Sequence, residues 1–398
     1  MMTRLMLQQL LILAITLLAG PATHGQANSR TIARCGDGWL ETIDGYPVLH
    51  LKGTPWQMGY QHGLLLRQHV RQNLHTLLNV KGNQTLIKIG KLEVKPRAAI
   101  GIIQGIQRRH VPPRFFTELD GLASGAGLPR GDVRIANFIP ELFHCSGFAV
   151  MNSATADGTL FHGRVLDYAI DWGLQDHAVL IVAEPDGGIP FVNVTYAGFI
   201  GSVTGMNARQ VSIGEMGGSG LGAWNGVPMA VLVREVLQTA GDLDEAIAVF
   251  RDRPRTCQYY YVIADGKTNR AVGMEASWNT LTVVQPGRSH PRLPTPVTDC
   301  VLLSAGDRYT ELVKRTRAGH GSWTATRALQ LMQRPVAMKS NLHNVLFAPR
   351  STKFWVSNAS HDGQPAAAQP WHLAYQEKQR IRHVWTQLWY SDGAVMVR

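Results

Sequence analysis

Apolar positions change their period along the chain, and the change divides it. Leu66, Val70, Leu74, Leu77 and Leu78 recur at helical spacing and fall on one face. A helix start precedes them: Thr54 can cap, Pro55 suits the first helical position, and Gln57 completes a T-x-x-Q capping box. A second helix is predicted over Ala98–Gln107, and the stretch from Phe115 to Leu142 reads as two helical pieces broken by a glycine-rich turn at Ser124–Gly127. From Cys145 the period drops to two. The runs "CSGFAVM", "TLFHGRVL", "HAVLIVAEP", "PFVNVTY" and "QVSIGEM" are separated by Asp-Gly, Gly-Gly and Pro, which predicts a mostly antiparallel sheet. Helix returns at Met229–Gln238 and Leu243–Phe250, and strands at Tyr259–Ala264, Ala271–Glu275 and Leu281–Val284. A mixed section runs on to Val397. With no internal repeat or low-complexity linker, one αβ domain is the simplest organisation.

The 398 residues are 45% apolar, enough for a substantial core. Residues 1–27 read as a signal peptide: Arg4 is the basic start, Leu10–Leu18 the apolar centre, and Thr23–Ala27 the small-residue exit. That centre is too short to span a bilayer comfortably, so removal is favoured over anchoring, and the expected location is exported, periplasmic or secreted. No later segment reads as transmembrane. The formal charge is +11. Between residues 81 and 114 there are eight basic side chains (Lys81, Lys88, Lys91, Lys95, Arg97, Arg108, Arg109 and Arg114) against one acid, Glu93. This stretch is either a surface for anionic lipid, polymer or substrate, or a solvated face. Export argues against a nucleic-acid partner. The four cysteines, Cys35, Cys145, Cys257 and Cys300, form no C-x-x-C pair, so no metal or cofactor is expected. An even count leaves disulfides open, including Cys257 with Cys300.

Cys145 opens an apolar alternating run that leads to "GRVLD", residues 163–167. A thiol becomes a nucleophile only beside a base or where its thiolate is favoured. His144 is the neighbour in sequence, but adjacent strand residues point to opposite faces. One arrangement supplies a base without histidine. Cutting the peptide bond between His144 and Cys145 frees an α-amino group on the nucleophile's own residue, and its ordinary pKa near 8 suits proton transfer. Geometry bears on Arg164 as well. A tight turn at Asp157-Gly158 would pair Arg164 with Met151, whereas a wider loop centred on Thr155 would pair it with Ser146.

Cys145, the turn "ADGTL" (Ala156–Leu160) and "HGRVLDY" (His162–Tyr168) resemble the maturation site of N-terminal nucleophile (Ntn) hydrolases. More specifically they resemble peptidase family C45, the autoproteolytic acyltransferases and hydrolases related to acyl-CoA:6-aminopenicillanic acid acyltransferase. Blocks at Leu51–Gly63, Glu118–Leu142, Gly205–Met216, Asn225–Leu237 and Asn341–Pro349 are similar to family blocks in the same order. The resemblance implies an α+β fold, a four-layer αββα sandwich. It implies a pro-segment or α-subunit over residues 28–144 and a β-subunit over 145–398, together one domain whose cleaved parts stay associated. Arg164 and Asp167 fall on the family's Arg-x-x-Asp. Arg164 then steadies the thiolate or clamps a carboxylate, and Asp167 orients the new α-amino group.

The chain departs from the family at two places. His144 stands where a small residue is common. Asp307, in "GDRY", stands where an oxyanion-binding Asn is expected, and a carboxylate there needs neutralising by Arg308 or Arg315. Asn225 and Asn207 are alternative oxyanion or substrate donors, or plain turn residues. Cys145 as half of a disulfide, and Arg164 with Asp167 as an ordinary ion pair, are the structural readings of the same residues. His343 lacks partners at ligand spacing and defaults to packing. "GSGLGA" (Gly218–Ala223) imitates a dinucleotide fingerprint, but Pro228 intervenes before the helix. The leading expectation is an exported cysteine hydrolase or acyltransferase acting on a linear, lipid-like amide or another acylated amine. The alternative is an uncleaved, non-catalytic protein of the same fold that binds lipid or cell-wall material.

Overall fold

The computed structural model describes residues 29–85, 87–89, 92–139, 145–168 and 170–373. The expected signal segment 1–27 and His144 lie outside the described residues. In chain order the elements begin with β1 (Ser29–Cys35), β2 (Gly38–Ile43), β3 (Tyr46–Gly53), α1 (Pro55–Leu65) and α2 (Arg67–His75). The small hairpin β4 (Ile87–Ile89) and β5 (Leu92–Val94) precedes α3 (Pro96–Gln107), α4 (Pro113–Ala126) and α5 (Arg130–Ala136). Then come β6 (Ser146–Asn152), β7 (Gly158–Asp167), β8 (Ala178–Pro185), β9 (Phe191–Tyr196), β10 (Thr204–Asn207) and β11 (Val211–Ser219). After α6 (Met229–Thr239) and α7 (Leu243–Asp252) follow β12 (Gln258–Asp265), β13 (Arg270–Ser277), β14 (Leu281–Val284) and β15 (Cys300–Leu303). The last elements are α8 (Gly306–Ala318), α9 (Ala325–Leu329), β16 (Asn341–Ala348), β17 (Lys353–Asn358) and β18 (His372–Leu373).

The helix start is built as its sequence requires. The Thr54 hydroxyl accepts from the Gln57 amide at 3.3 Å, while the Gln57 side chain accepts from the Thr54 amide at 2.8 Å. The apolar stripe is buried, but the helix breaks at Leu66, which caps α1 and precedes α2. Two glycine pairs let α1 and α4 touch backbone to backbone. A Cβ on Gly59 would lie 1.9 Å from the Glu118 carbonyl oxygen, and one on Gly125 would lie 2.3 Å from that of Tyr60.

Ten strands form one sheet in the order β1-β2-β3-β8-β9-β10-β11-β12-β13-β14, and six form a second, β15-β6-β7-β16-β17-β18. Every pairing is antiparallel except β3 with β8. The inner faces meet through Val48, Leu180, Val192 and Val194 of the first sheet and Val345, Phe347, Phe354 and Val356 of the second. The outer face of the ten-stranded sheet is covered by α1, α2, α4, α6 and α7, through residues such as Met58, Leu122, Val233 and Phe250. The outer face of the six-stranded sheet carries α8 and α9, through Leu312, Val313 and Ala328. The order helix, sheet, sheet, helix is the expected α+β four-layer sandwich. The segment before residue 145 supplies β1–β3 to the ten-stranded sheet, so the two sides of the expected cleavage point are interleaved.

Among the described residues no helix is long and apolar enough to cross a membrane. The basic stretch is partly neutralised by contacts: Lys81 pairs with Asp171 at 3.1 Å, Arg97 with Asp132 at 2.6 Å, and Arg114 with Glu235 at 2.9 Å. A surface formed from it carries less free charge than the sequence count suggests.

Candidate active site

Cys145 directly precedes β6 and is buried, 4% exposed. The wider of the two expected loops joins β6 to β7. Asn152 pairs with Gly158, and an irregularity between Val150 and Asn152 then shifts the register by one residue. Arg164 therefore lies opposite Gly147, and Val165 opposite Ser146. The expected pairing of Arg164 with Ser146 is corrected by this bulge, and the correction matters. Directly paired residues share a face and successive residues alternate, so one step of register decides which face receives the guanidinium. A Cβ on Gly147 would lie 2.7 Å from the Met216 sulfur of β11, which places this face toward the inter-sheet space. Met216 also lines the cleft into which Cys145 opens.

Arg164 is accordingly sealed between the sheets. A Cβ on Gly214 would lie 2.6 Å from its Cγ, so the missing side chain makes room for it. Its Nη2 lies 3.4 Å from Glu215 Oε2, and neither side chain has any exposure. Charge on so buried a guanidinium needs such a partner.

Asp167, three residues on, reaches the opposite face because a strand alternates. Its side chain is fully buried. Arg308 Nη1 in the first turn of α8 donates to Asp167 Oδ2 at 2.7 Å and to Ser146 Oγ at 3.2 Å. The Ser146 hydroxyl meets that of Ser304 at 2.7 Å, and the Met338 amide donates to Asp167 Oδ1 at 2.9 Å. Burial pushes the Asp167 carboxyl up to about 6, offset in part by the Met338 amide, by the charges of Arg308 and Arg164, and by Asn341.

The cleft before Cys145 encloses about 970 Å³, open solvent included. Its walls come from Met216–Ser219 of β11, from Tyr260 and Arg292, and from the Ser304–Gly306 turn with Arg308. A second hollow of about 620 Å³, open solvent included, is mainly apolar, walled by Leu166, Tyr168, Leu174, Tyr196, Phe199 and Leu342. Leu166 places it at the same end of β7 as Asp167.

The other candidates are placed elsewhere. Asn207 is fully buried and spent on backbone. Its amide donates to the carbonyls of Leu237 and Ala240, and its oxygen accepts from the amides of Arg209 and Val211. Asn225 is exposed, bonded to Arg109 at 2.6 Å and His110 at 2.8 Å, and does not line the cleft. Asp307 is exposed and turned away, because a helix rotates successive residues by about 100°. Arg308, the next residue, is the one that faces inward, and it neutralises Asp167 rather than Asp307. Arg315 lies further along α8, held by Glu311 and the carbonyls of Gln330, Gln333 and Arg334. None of the four cysteines forms a disulfide, neither Cys145 nor the Cys257/Cys300 pair. Burial raises the Cys257 thiol to about 11 and the Cys300 thiol to about 12, which keeps both protonated at neutral pH. His343 is fully buried and bonded to Tyr196 Oη at 2.9 Å and Thr204 Oγ1 at 3.0 Å.

Ser304, Tyr260 and Arg292 carried no signal in the sequence; Ser146 was expected only as a strand partner of Arg164, and Arg308 only as a neutraliser of Asp307.

Residues 154–288 match the family described as acyl-coenzyme A:6-aminopenicillanic acid acyl-transferase. The chain is 29% identical to Protein dcd1B of Dictyostelium discoideum over 63% of its own length and 54% of that protein. It is 25% identical to the N-acylethanolamine-hydrolyzing acid amidase of Caenorhabditis elegans over 43% of its length and 54% of the amidase. The solved structure of the Caenorhabditis elegans ortholog of that amidase superposes with a TM-score of 0.43 at 17% identity, over 52% of this chain and 93% of the other. The chain spans between about half and under two-thirds of the length of these curated relatives.

Proposed function

The chain being related to the acyl-coenzyme A:6-aminopenicillanic acid acyl-transferase family, we propose that it is an exported, autoproteolytic hydrolase of acylated amines with Cys145 as its nucleophile. The observation that carries the reading is the placement of Cys145. It stands at the start of a central strand, in the wall of a cleft, with the buried Asp167–Arg308–Ser146 network beside its own backbone.

Maturation begins with attack of the Cys145 sulfur on the carbonyl of residue 144. The peptide C–N bond breaks as a thioester forms, the thiol proton passing to the freed α-amino group of Cys145, and water then cleaves the thioester to the residue-144 carboxylate and the Cys145 thiol. In turnover that amino group takes the thiol proton. The sulfur bonds to the acyl carbon, and the amine leaves with the proton returned to it. Water then attacks the thioester, releases the carboxylic acid and restores the thiol. Asp167 orients the amino group. Its carboxylate offers about four acceptor sites, and Arg308 and Met338 use two of them. Arg308 holds Asp167 ionised, and Arg164 adds positive potential from the inter-sheet side. The apolar cavity beside Leu166 suits the acyl chain, as its lining is mostly hydrocarbon. Water as acceptor is favoured over a second amine, since an exported enzyme meets little acyl-CoA.

Intact mass of purified mature protein, wild type beside Cys145→Ala, tests the proposal. Two wild-type fragments that meet before Cys145, an uncut variant, and turnover of an N-acyl amide by the wild type alone are expected. A wild-type chain that stays whole between pH 4 and 8 removes the α-amino base and overturns the mechanism.

A further inference from the structure

The cleft contains one cation that the chemistry above leaves unused. Arg308 is spent on Asp167, but Arg292, in the same cleft wall, is exposed and has no carboxylate within ion-pair distance among the described residues. Its backbone is anchored, with the Arg292 amide donating to His290 Nδ1 at 3.3 Å, and Tyr260 lines the same wall. The Tyr260 phenol donates to Glu275 Oε1 at 3.1 Å.

The nearby acid does not neutralise it, because Glu275 is committed elsewhere. His290 Nε2 lies 2.8 Å from Oε2, and the Gln258 amide and the Tyr260 phenol both donate to Oε1. The exposed Arg292 guanidinium therefore stands at the cleft wall with no carboxylate bound to it among the described residues. Gly217 and Gly218 line the same cleft and bring no side chains into it.

We propose that Arg292 is a specificity residue that binds a carboxylate on the amine half of the substrate, so that the cleft selects N-acyl amino acids over neutral N-acyl amines. The inference rests on the acyl-amide reading above. The guanidinium fork matches a carboxylate with two parallel hydrogen bonds, and a neutral hydroxyl offers no equivalent partner. The apolar cavity beside Leu166 takes the acyl chain, and the acid is taken by Arg292 in the cleft that Cys145 also lines.

The experiment compares N-dodecanoylglycine with N-dodecanoylethanolamine, which share an acyl chain and differ in the acid. In wild type the glycine conjugate is expected to have the higher kcat/KM, mostly through KM. Arg292→Gln is expected to lower the glycine-to-ethanolamine ratio about tenfold, the size of a charged hydrogen bond. Arg292→Lys should restore part of the ratio, which a role in folding alone would not do. A ratio that moves less than twofold in Arg292→Gln, or an equal loss on both substrates, overturns the inference. If wild type cleaves neither conjugate, the hydrolase reading fails by itself, and the same pair is then compared by equilibrium binding to the wild-type protein. Tighter binding of the glycine conjugate that is lost in Arg292→Gln sustains the carboxylate site; equal binding rejects it.

Discussion

Replacing Arg308 with Met removes the partner of a fully buried carboxylate, and the size of the effect depends on pH in a calculable way. Asp167 titrates near 6 in the folded protein, above its ordinary value of 3.8. A raised carboxyl stabilises the fold most below the unfolded value and loses that contribution as pH rises through the folded one. At pH 7 the ionised form in the wild type lies about 1.4 kcal/mol below the protonated form, one pH unit at 1.36 kcal/mol per unit. Without Arg308, 2.7 Å away, the folded pKa rises further and this ionisation energy is lost. The buried acid escapes a larger penalty by keeping its proton. The ionic part of the destabilisation is therefore near zero at pH 5 and about 1.4 kcal/mol at pH 7. The lost bond to Ser146 adds about 1 kcal/mol at both pH values. Urea unfolding of Cys145→Ala and Cys145→Ala/Arg308→Met, at pH 5 and pH 7 and one protein concentration, measures the difference in a background lacking the nucleophile. Adding Asp167→Asn should abolish its pH dependence. An equal loss at both pH values would refute the claim that Arg308 acts by holding Asp167 ionised.

Three further outcomes are expected. The pH profile of kcat/KM should carry an acid limb near pH 6 that vanishes in Asp167→Asn, because the orienting carboxylate is lost as pH falls through that value; a limb that stays in place assigns it to another group. Glu215→Gln removes the carboxylate 3.4 Å from the sealed Arg164 guanidinium and should cost about 3–5 kcal/mol in urea unfolding, and a loss below 1 kcal/mol would mean that Arg164 is stabilised by other groups. Gly59→Ala places a methyl 1.9 Å from the Glu118 carbonyl oxygen, so α1 and α4 must separate, lowering stability by about 1–3 kcal/mol in thermal or urea unfolding; an unchanged midpoint would show that the helices part without cost.

Much of the local structure was legible because it depends on short-range chemistry. The Thr54–Gln57 capping box formed as written, and the runs from Cys145 onward became strands. The break at Leu66 was not legible, since the apolar stripe continues smoothly through it while the backbone does not. The paired glycines at 59 and 63 and at 121 and 125 were visible in the sequence at helical spacing, yet what they permit, contact between α1 and α4, requires knowing that these helices are neighbours.

The candidate site divides in the same way. Cys145, Arg164 and Asp167 stood out by residue type and motif. Asn207, Asn225, Asp307 and Arg315 are the right types in positions where backbone carbonyls, other side chains or solvent already use them. Asn207 forms the local turn to Arg209 and Val211 that its residue type allows, but its carbonyl partners lie 30 and 33 residues away and those of Asn225 lie 115 and 116 away, beyond the reach of any local pattern.

The amino-acid sequence by itself determined the strand and helix segments, narrowed the connection between the Cys145 strand and the Arg-x-x-Asp strand to two loops, and singled out Cys145 as the candidate thiol, because each depends on side-chain period, turn chemistry and intrinsic reactivity. Tertiary structure decided the single-residue bulge that put Arg164 between the sheets. It also chose Arg308 over Asp307 as the residue facing Asp167, and it left Arg292 uncompensated at the cleft wall. Register and facing are set by which surfaces pack together, and one residue of shift or one step around a helix exchanges inside for outside.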